Sequence, residues 1–159
     1  MRREFQLSVL VILLSLLLLI FTGCSTKDSI GEFQSVTGLY ESCPGECGSP
    51  STCEGKPAKV WGYLDVHNVF EDPQGGNEKA RFVIAGELDD QGFGTGKVIE
   101  VIPNQESDQS ALFDKLETID ATSKVFITGT VTGYDAPTNL SCERLISLEI
   151  DGENSVEIR

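Results

Sequence analysis

Histidine, tryptophan and methionine are almost missing from this chain: each occurs once in 159 residues, as His67, Trp61 and Met1. A single imidazole excludes zinc centres built on two or more histidines. None of the patterns G-x-S-x-G, H-E-x-x-H or the phosphate-cradling Gly-Lys-Ser/Thr loop occurs, so no nucleophile stands beside its base in a readable motif. The expectation is a non-enzymatic chain with no catalytic residue, no metal and no cofactor. Positive charge is scarce as well, with 12 Lys and Arg against 25 Asp and Glu and a formal net charge of −13. Nucleic-acid binders neutralise phosphates with clustered cations, and beyond Arg2-Arg3 no two basic residues are adjacent. A nucleic-acid partner is therefore disfavoured.

Long apolar runs are also absent, with one exception. Leu7 to Phe21 is nearly unbroken, preceded by Arg2 and Arg3 and followed by Thr22-Gly23-Cys24. A short positive end, an apolar stretch and a small-residue exit describe a secretory signal over residues 1–23. Ile20-Phe21-Thr22-Gly23-Cys24 resembles the lipobox of bacterial lipoproteins, with Phe21 where Leu is usual. The resemblance implies cleavage before Cys24, diacylglycerol on its sulfur and an acyl chain such as palmitate on its amine. Several acyl chains hold a protein on a membrane far more firmly than one. The rival is an uncleaved membrane-spanning anchor. Either way the rest of the chain is expected outside the cytoplasm, in the cell envelope on the periplasmic or extracellular side.

Removing residues 1–23 takes away two Arg and one Glu and leaves ten basic against 24 acidic residues, a charge of −14. Such a charge favours solubility and basic partners. Residues 24–40 are polar and lack a sustained period, so they are expected to be a flexible tether. Residues 41–56 form a Gly/Pro/Ser-rich loop carrying Cys43, Cys47 and Cys53. With Cys24 lipidated, these three and Cys142 make an even number in an oxidising compartment, which implies two disulfides; the rivals are an irregular four-Cys zinc site and a redox role, the latter without a C-x-x-C motif. Three connectivities are open. If all four thiols pair, one of the loop cysteines must reach Cys142 and clamp the loop to the far end of the domain.

Residues 57–159 are expected to be the folded domain, mainly β. The segment 58–70 puts Val60, Leu64 and Val66 in step, a period of two. Further strands are predicted over 81–88, 97–103 and 123–135, with a fifth formed by "RLISLEID" and "SVEI" around a turn at "DGEN". Between the third and fourth, Leu112, Phe113, Leu116 and Ile119 fall at helical spacing, with Ser107 or Asp108 as cap. Three strands, a helix and two strands is the element order of the OB-fold, a five-stranded Greek-key barrel. "KVWGYL" and "FITGTV" resemble the glycine-bearing first and fourth strands of tRNA-anticodon-like OB domains. The resemblance implies sharp coiling or a bulge at Gly62 and Gly129. A small open β-sandwich with one helix is the alternative.

If Val60, Leu64 and Val66 point inward, Trp61, Tyr63, Asp65 and His67 share the other face. That stripe is the candidate binding face, since amphipathic rings anchor partners. The alternative is burial beneath the 41–57 loop, with His67 packing rather than ligating. The acidic turns 87–94 and 150–154 offer oxygens to a cation, yet Asp, Asn and Gly are also ordinary turn residues. The functional expectation is a non-enzymatic, membrane-anchored envelope lipoprotein whose OB module binds a protein or small ligand. A nucleic-acid-binding OB protein is the alternative. Metal or haem handling is a weaker one, because Tyr134 lacks the preceding His that envelope haem chaperones carry.

Overall fold

The computed structural model describes residues 29–71, 79–106, 108–120, 122–138 and 141–159. The signal segment, Cys24 and Ser107 lie outside the described residues. Eight strands form one continuous sheet: β1 Ser29–Ile30, β2 Phe33–Ser35, β3 Pro57–Phe70, β4 Arg81–Leu88, β5 Gly94–Pro103, β6 Lys124–Pro137, β7 Cys142–Ile150 and β8 Val156–Ile158. Helices occupy Val36–Ser42 and Ser110–Glu117. Strand β3 pairs with β4, β4 with β5, β5 in parallel with β7, β7 with β6, and β6 again with β3. That closed circuit, with a helix between its third and fourth strands, is the path of an OB-type barrel.

Closure needs strands that change neighbours, and the two glycines singled out above sit at the changeovers. β3 follows β6 as far as Tyr63 and then runs beside β4; β6 follows β3 as far as Thr130 and then runs beside β7. A Cβ on Gly62 would lie 2.7 Å from the Ala85 carbonyl oxygen, and one on Gly129 2.7 Å from that of Glu149. Both positions are places of close backbone approach, where a side chain cannot fit.

The inward positions Val60, Leu64, Phe82, Ile84, Ile99 and Val101 are wholly or almost wholly buried. β3, β5 and β7 run one way, and β4 and β6 the other. The Ser110–Glu117 helix follows β5 into β6, so it covers the end where β3, β5 and β7 finish, inserting Leu112, Phe113 and Leu116 into the core. Its N-cap is Gln109, without a side-chain capping bond, rather than Ser107 or Asp108; the Asp108 carboxylate accepts the Ser110 N–H at 3.0 Å just before the first turn. The Val36–Ser42 helix lies toward the opposite end. Ser35 caps it by accepting the Gly38 N–H at 3.0 Å, and Val36 and Leu39 join the core. Its Tyr40 hydroxyl donates to the Val98 carbonyl at 2.9 Å and accepts from the Ile146 N–H at 3.1 Å. The β5–β7 ladder ends at Glu100 and Ser147, so Tyr40 joins the two strands beyond it.

Three further expectations are corrected. From Ser29 onward the supposed tether is structured: β2 pairs in parallel with β3 at Val60 and Trp61, and Val36 and Leu39 are buried. A polar stretch containing a few well-spaced apolar residues was enough to make a plug. The sheet has eight strands rather than five, through β1, β2 and β8. The fifth strand comes in two pieces as expected: β7 and β8 lie along the same edge of β6, with a 3-10 turn at Glu153–Ser155 between them. Val66 is 41% exposed instead of inward, because the β3–β4 register jumps between Asp65 and Val69.

Candidate functional site

That jump organises the candidate face. Asp65 pairs with Val83 and Val69 with Phe82, so Val66, His67 and Asn68 bulge out of the ladder. Asp65 is only 3% exposed. Its carboxylate accepts from the His67 N–H at 3.1 Å, the Asn68 side-chain amide at 2.8 Å and the Gly94 N–H at 2.9 Å. Three donors compensate a buried carboxylate, so Asp65 fixes the bulge and is withdrawn from any ligand.

The four candidates therefore do not act as one stripe. Trp61 has Tyr63 edge-on at 6.2 Å and the Lys124 ammonium 4.5 Å from its ring centroid. His67 stacks on Phe93 at 4.0 Å and reaches the Gln91 carbonyl at 3.0 Å; it packs against the turn, as a loop-packing histidine does. The 41–57 loop does not end on this stripe but on β6 and β7.

The bulge leaves an open cleft on each side of Val66. One, of about 720 Å³, has Tyr63, Val66 and Leu88 as its apolar floor and Glu87, Asp89 and Asp90 among its walls. The other, of about 480 Å³, runs along the Ser110–Glu117 helix past Val69, Phe113 and Ile119, with Glu71 and Glu117 at its edge. Val66 lines both. The Asp89 carboxylate also shapes the turn, accepting the Gln91 and Phe93 N–H groups at 2.9 and 3.0 Å, which explains that acidic turn without a cation.

The Cys-rich loop builds a different region. Disulfides join Cys43 to Cys53 and Cys47 to Cys142. Arg144 grips Glu54 through two nitrogens at 2.8–3.1 Å and donates to Asp135 at 2.9 Å. The Ser51 N–H, and after it Arg144, hold the Glu54 carboxyl below its usual range; Arg144 and the Gly48 N–H do the same for Asp135, and these carboxylates push the Arg144 guanidinium up. Backbone bonds Gly55 N–H to Val131 carbonyl, 2.8 Å, and Val131 N–H to Lys56 carbonyl, 2.9 Å, complete the seam. A cleft of about 530 Å³ lies beside it, walled by Tyr40, Lys97, Glu143 and the Cys47–Cys142 bridge. Burial pushes the Tyr40 phenol up there, against the Ile146 N–H that favours its anion. Among the described residues, the one grouping of potential metal ligands is Cys47, Asp135 and Cys142, and both its sulfurs are joined to each other.

No family model and no curated protein matches the chain. Among solved structures, the chain is similar to Plasmodium falciparum SSB in its complex with ssDNA, at 12% identity and a TM-score of 0.39, with 64% of this chain and 90% of that one covered. The barrel assignment rests on the strand circuit described above.

Proposed function

We propose that this chain is a lipid-anchored envelope protein whose OB-type barrel docks a protein partner outside the cytoplasm. The observation that carries the docking role is the pair of open, apolar-floored clefts meeting at the exposed Val66; exposed apolar surface with a polar rim marks interaction sites. The sequence supports the anchor through the lipobox-like Ile20–Cys24 run, and two disulfides favour an oxidising compartment.

Radiolabelled palmitate fed to the expressing bacterium tests the anchor. Label should enter the membrane-bound chain and vanish with Cys24→Ser; a wild-type chain that stays unlabelled in the soluble fraction removes this part of the proposal. Titration with single-stranded oligonucleotides across salt tests the docking role against nucleic-acid binding. Tight association weakening steeply with salt would replace the protein-docking reading.

A further inference from the structure

We propose that the occupant of the Val66 cleft is a cationic amphipathic segment of the partner, an extended stretch in which Lys or Arg alternates with aliphatic residues. This rests on the protein-docking reading above and names the chemistry of its partner.

The chemistry follows from what surrounds the apolar floor. Five carboxylates lie along the two halves of the cleft, Glu71, Glu87, Asp89, Asp90 and Glu117, and among the described residues no Lys or Arg lines either half. Elsewhere on the described surface, six acids are matched, Glu32 by Lys59, Glu100 by Arg81, Glu143 by Lys97, Glu157 by Arg159, and Glu54 with Asp135 by Arg144. The hollows lined by Glu41 and Glu46 and by Glu106, Glu149 and Asp151 also carry cations in their walls, Lys97 with Arg144 in the first and Lys79 in the second. Among the described residues, none of the five cleft acids forms such a pair. Carboxylates held around an apolar surface with no internal counter-charge complement a partner that brings cations and aliphatic area together. Lys and Arg side chains carry both, an apolar stem under a charged head.

The same arrangement sets what is rejected. Phosphate backbones and anionic lipid surfaces meet five like charges. A bare metal ion or small amine gains nothing from Tyr63, Val66 and Leu88. A neutral apolar peptide fills the floor but leaves the acids unmatched. The mature chain's net charge of −14 adds long-range attraction for a cation, so association is fast at low salt and slows as salt rises.

The pinned bulge makes the surface ready-made. Asp65 holds residues 66–68 out of the sheet through three hydrogen bonds, so Val66 is presented without a rearrangement on binding, and preorganisation of this kind raises affinity.

The test uses the full-length, disulfide-intact protein in phosphatidylcholine nanodiscs. The probe is a fluorescently labelled 12-residue peptide of repeated Lys-Leu-Ser, read by anisotropy against empty nanodiscs. The proposal expects saturable binding, a charge-reversed Glu-Leu-Ser peptide binding at least about tenfold more weakly, and about a tenfold loss in Val66→Asp and in the double variant Glu87→Gln/Asp90→Asn. Glu87 and Asp90 are exposed, so the double variant keeps the test valid should Val66→Asp disturb the fold. Glu143→Gln, at the opposite end, should stay within about twofold of wild type. Equal binding of the two peptides, undiminished binding in the Glu87/Asp90 variant, or an equal loss in Glu143→Gln overturns the proposal. A chain that binds the Lys-Leu-Ser peptide yet takes no palmitate keeps the cleft and loses the anchor. A labelled chain indifferent to the peptide does the reverse.

Discussion

The two ends of the barrel are closed by different means. At one, the Val36–Ser42 plug continues into a loop fastened by Cys43–Cys53, Cys47–Cys142, the Arg144 ion pairs and the two Tyr40 hydrogen bonds. At the other, the Ser110–Glu117 helix closes the core by apolar packing, and the β3 bulge beside it leaves Val66 in solvent. The first end has turned its sulfurs and the Arg144, Glu54 and Asp135 charges on itself. The second keeps apolar area and uncompensated charge at the surface. Difference in bracing thus separates an end locked onto itself from the end that the proposed docking would use.

The largest effect should come from opening the braced end. Replacing Cys47 and Cys142 by Ser releases a loop of 95 residues and should lower stability by about 4–5 kcal/mol, against about 3 for the Cys43–Cys53 bridge; urea unfolding of both variants measures the ordering. Next comes the packed end, where Phe113→Ala empties a buried ring position and should cost about 3–5 kcal/mol. If thermal denaturation shows almost no change, the helix is not the plug described here. Between the ends, Gly62→Ala forces a methyl against the Ala85 carbonyl and Val36 and should cost about 1–3 kcal/mol, read from the same unfolding curves.

The Arg144 clamp should show itself through pH. Glu54 and Asp135 are held below their ordinary carboxylate values, close to 4, so their contribution is present above those values and fades as pH falls through the lowered ones. Wild type should therefore lose more stability than Arg144→Ala on going from neutral pH to about pH 3; parallel melting curves for the two would show the clamp to be energetically idle. The smallest stability effect belongs to the exposed cleft: Val66→Ser should stay within about 0.5 kcal/mol of wild type while weakening the Lys-Leu-Ser peptide. A large loss of stability instead would make Val66 a packing residue.

Strand positions with regular alternation were legible in the residues. Val60 and Leu64 point inward, the helix at Leu112–Leu116 lies where its spacing put it, and Gly62 and Gly129 mark the changeovers. Val66 misled because alternation assumes an unbroken ladder. The D-V-H-N run at 65–68 carried the visible warning: Asp and Asn inside a strand can bond nearby backbone and start a turn. The Ser29–Tyr40 region misled for another reason. Its apolar residues make sense only against partners far away in sequence, Phe126 for Phe33 and Gly62 and Gly86 for Val36, and no local pattern records such contacts. Of the cleft's acids, Glu87, Asp89 and Asp90 stood out as an acidic turn, but their meeting with Glu71 and Glu117 around Val66 left no local trace.

The way the four paired sulfurs are connected has a consequence for how such a chain is made. Under the export proposed above, a polypeptide threaded outward with its leading end first delivers Cys43, Cys47 and Cys53 together, long before Cys142 arrives. The finished molecule needs Cys47 to wait while its two neighbours join across the turn between them. Maturation therefore depends on a sulfur staying unclaimed until nearly the whole barrel has emerged, and a cell that oxidises thiols hastily should accumulate chains locked in the wrong pairing.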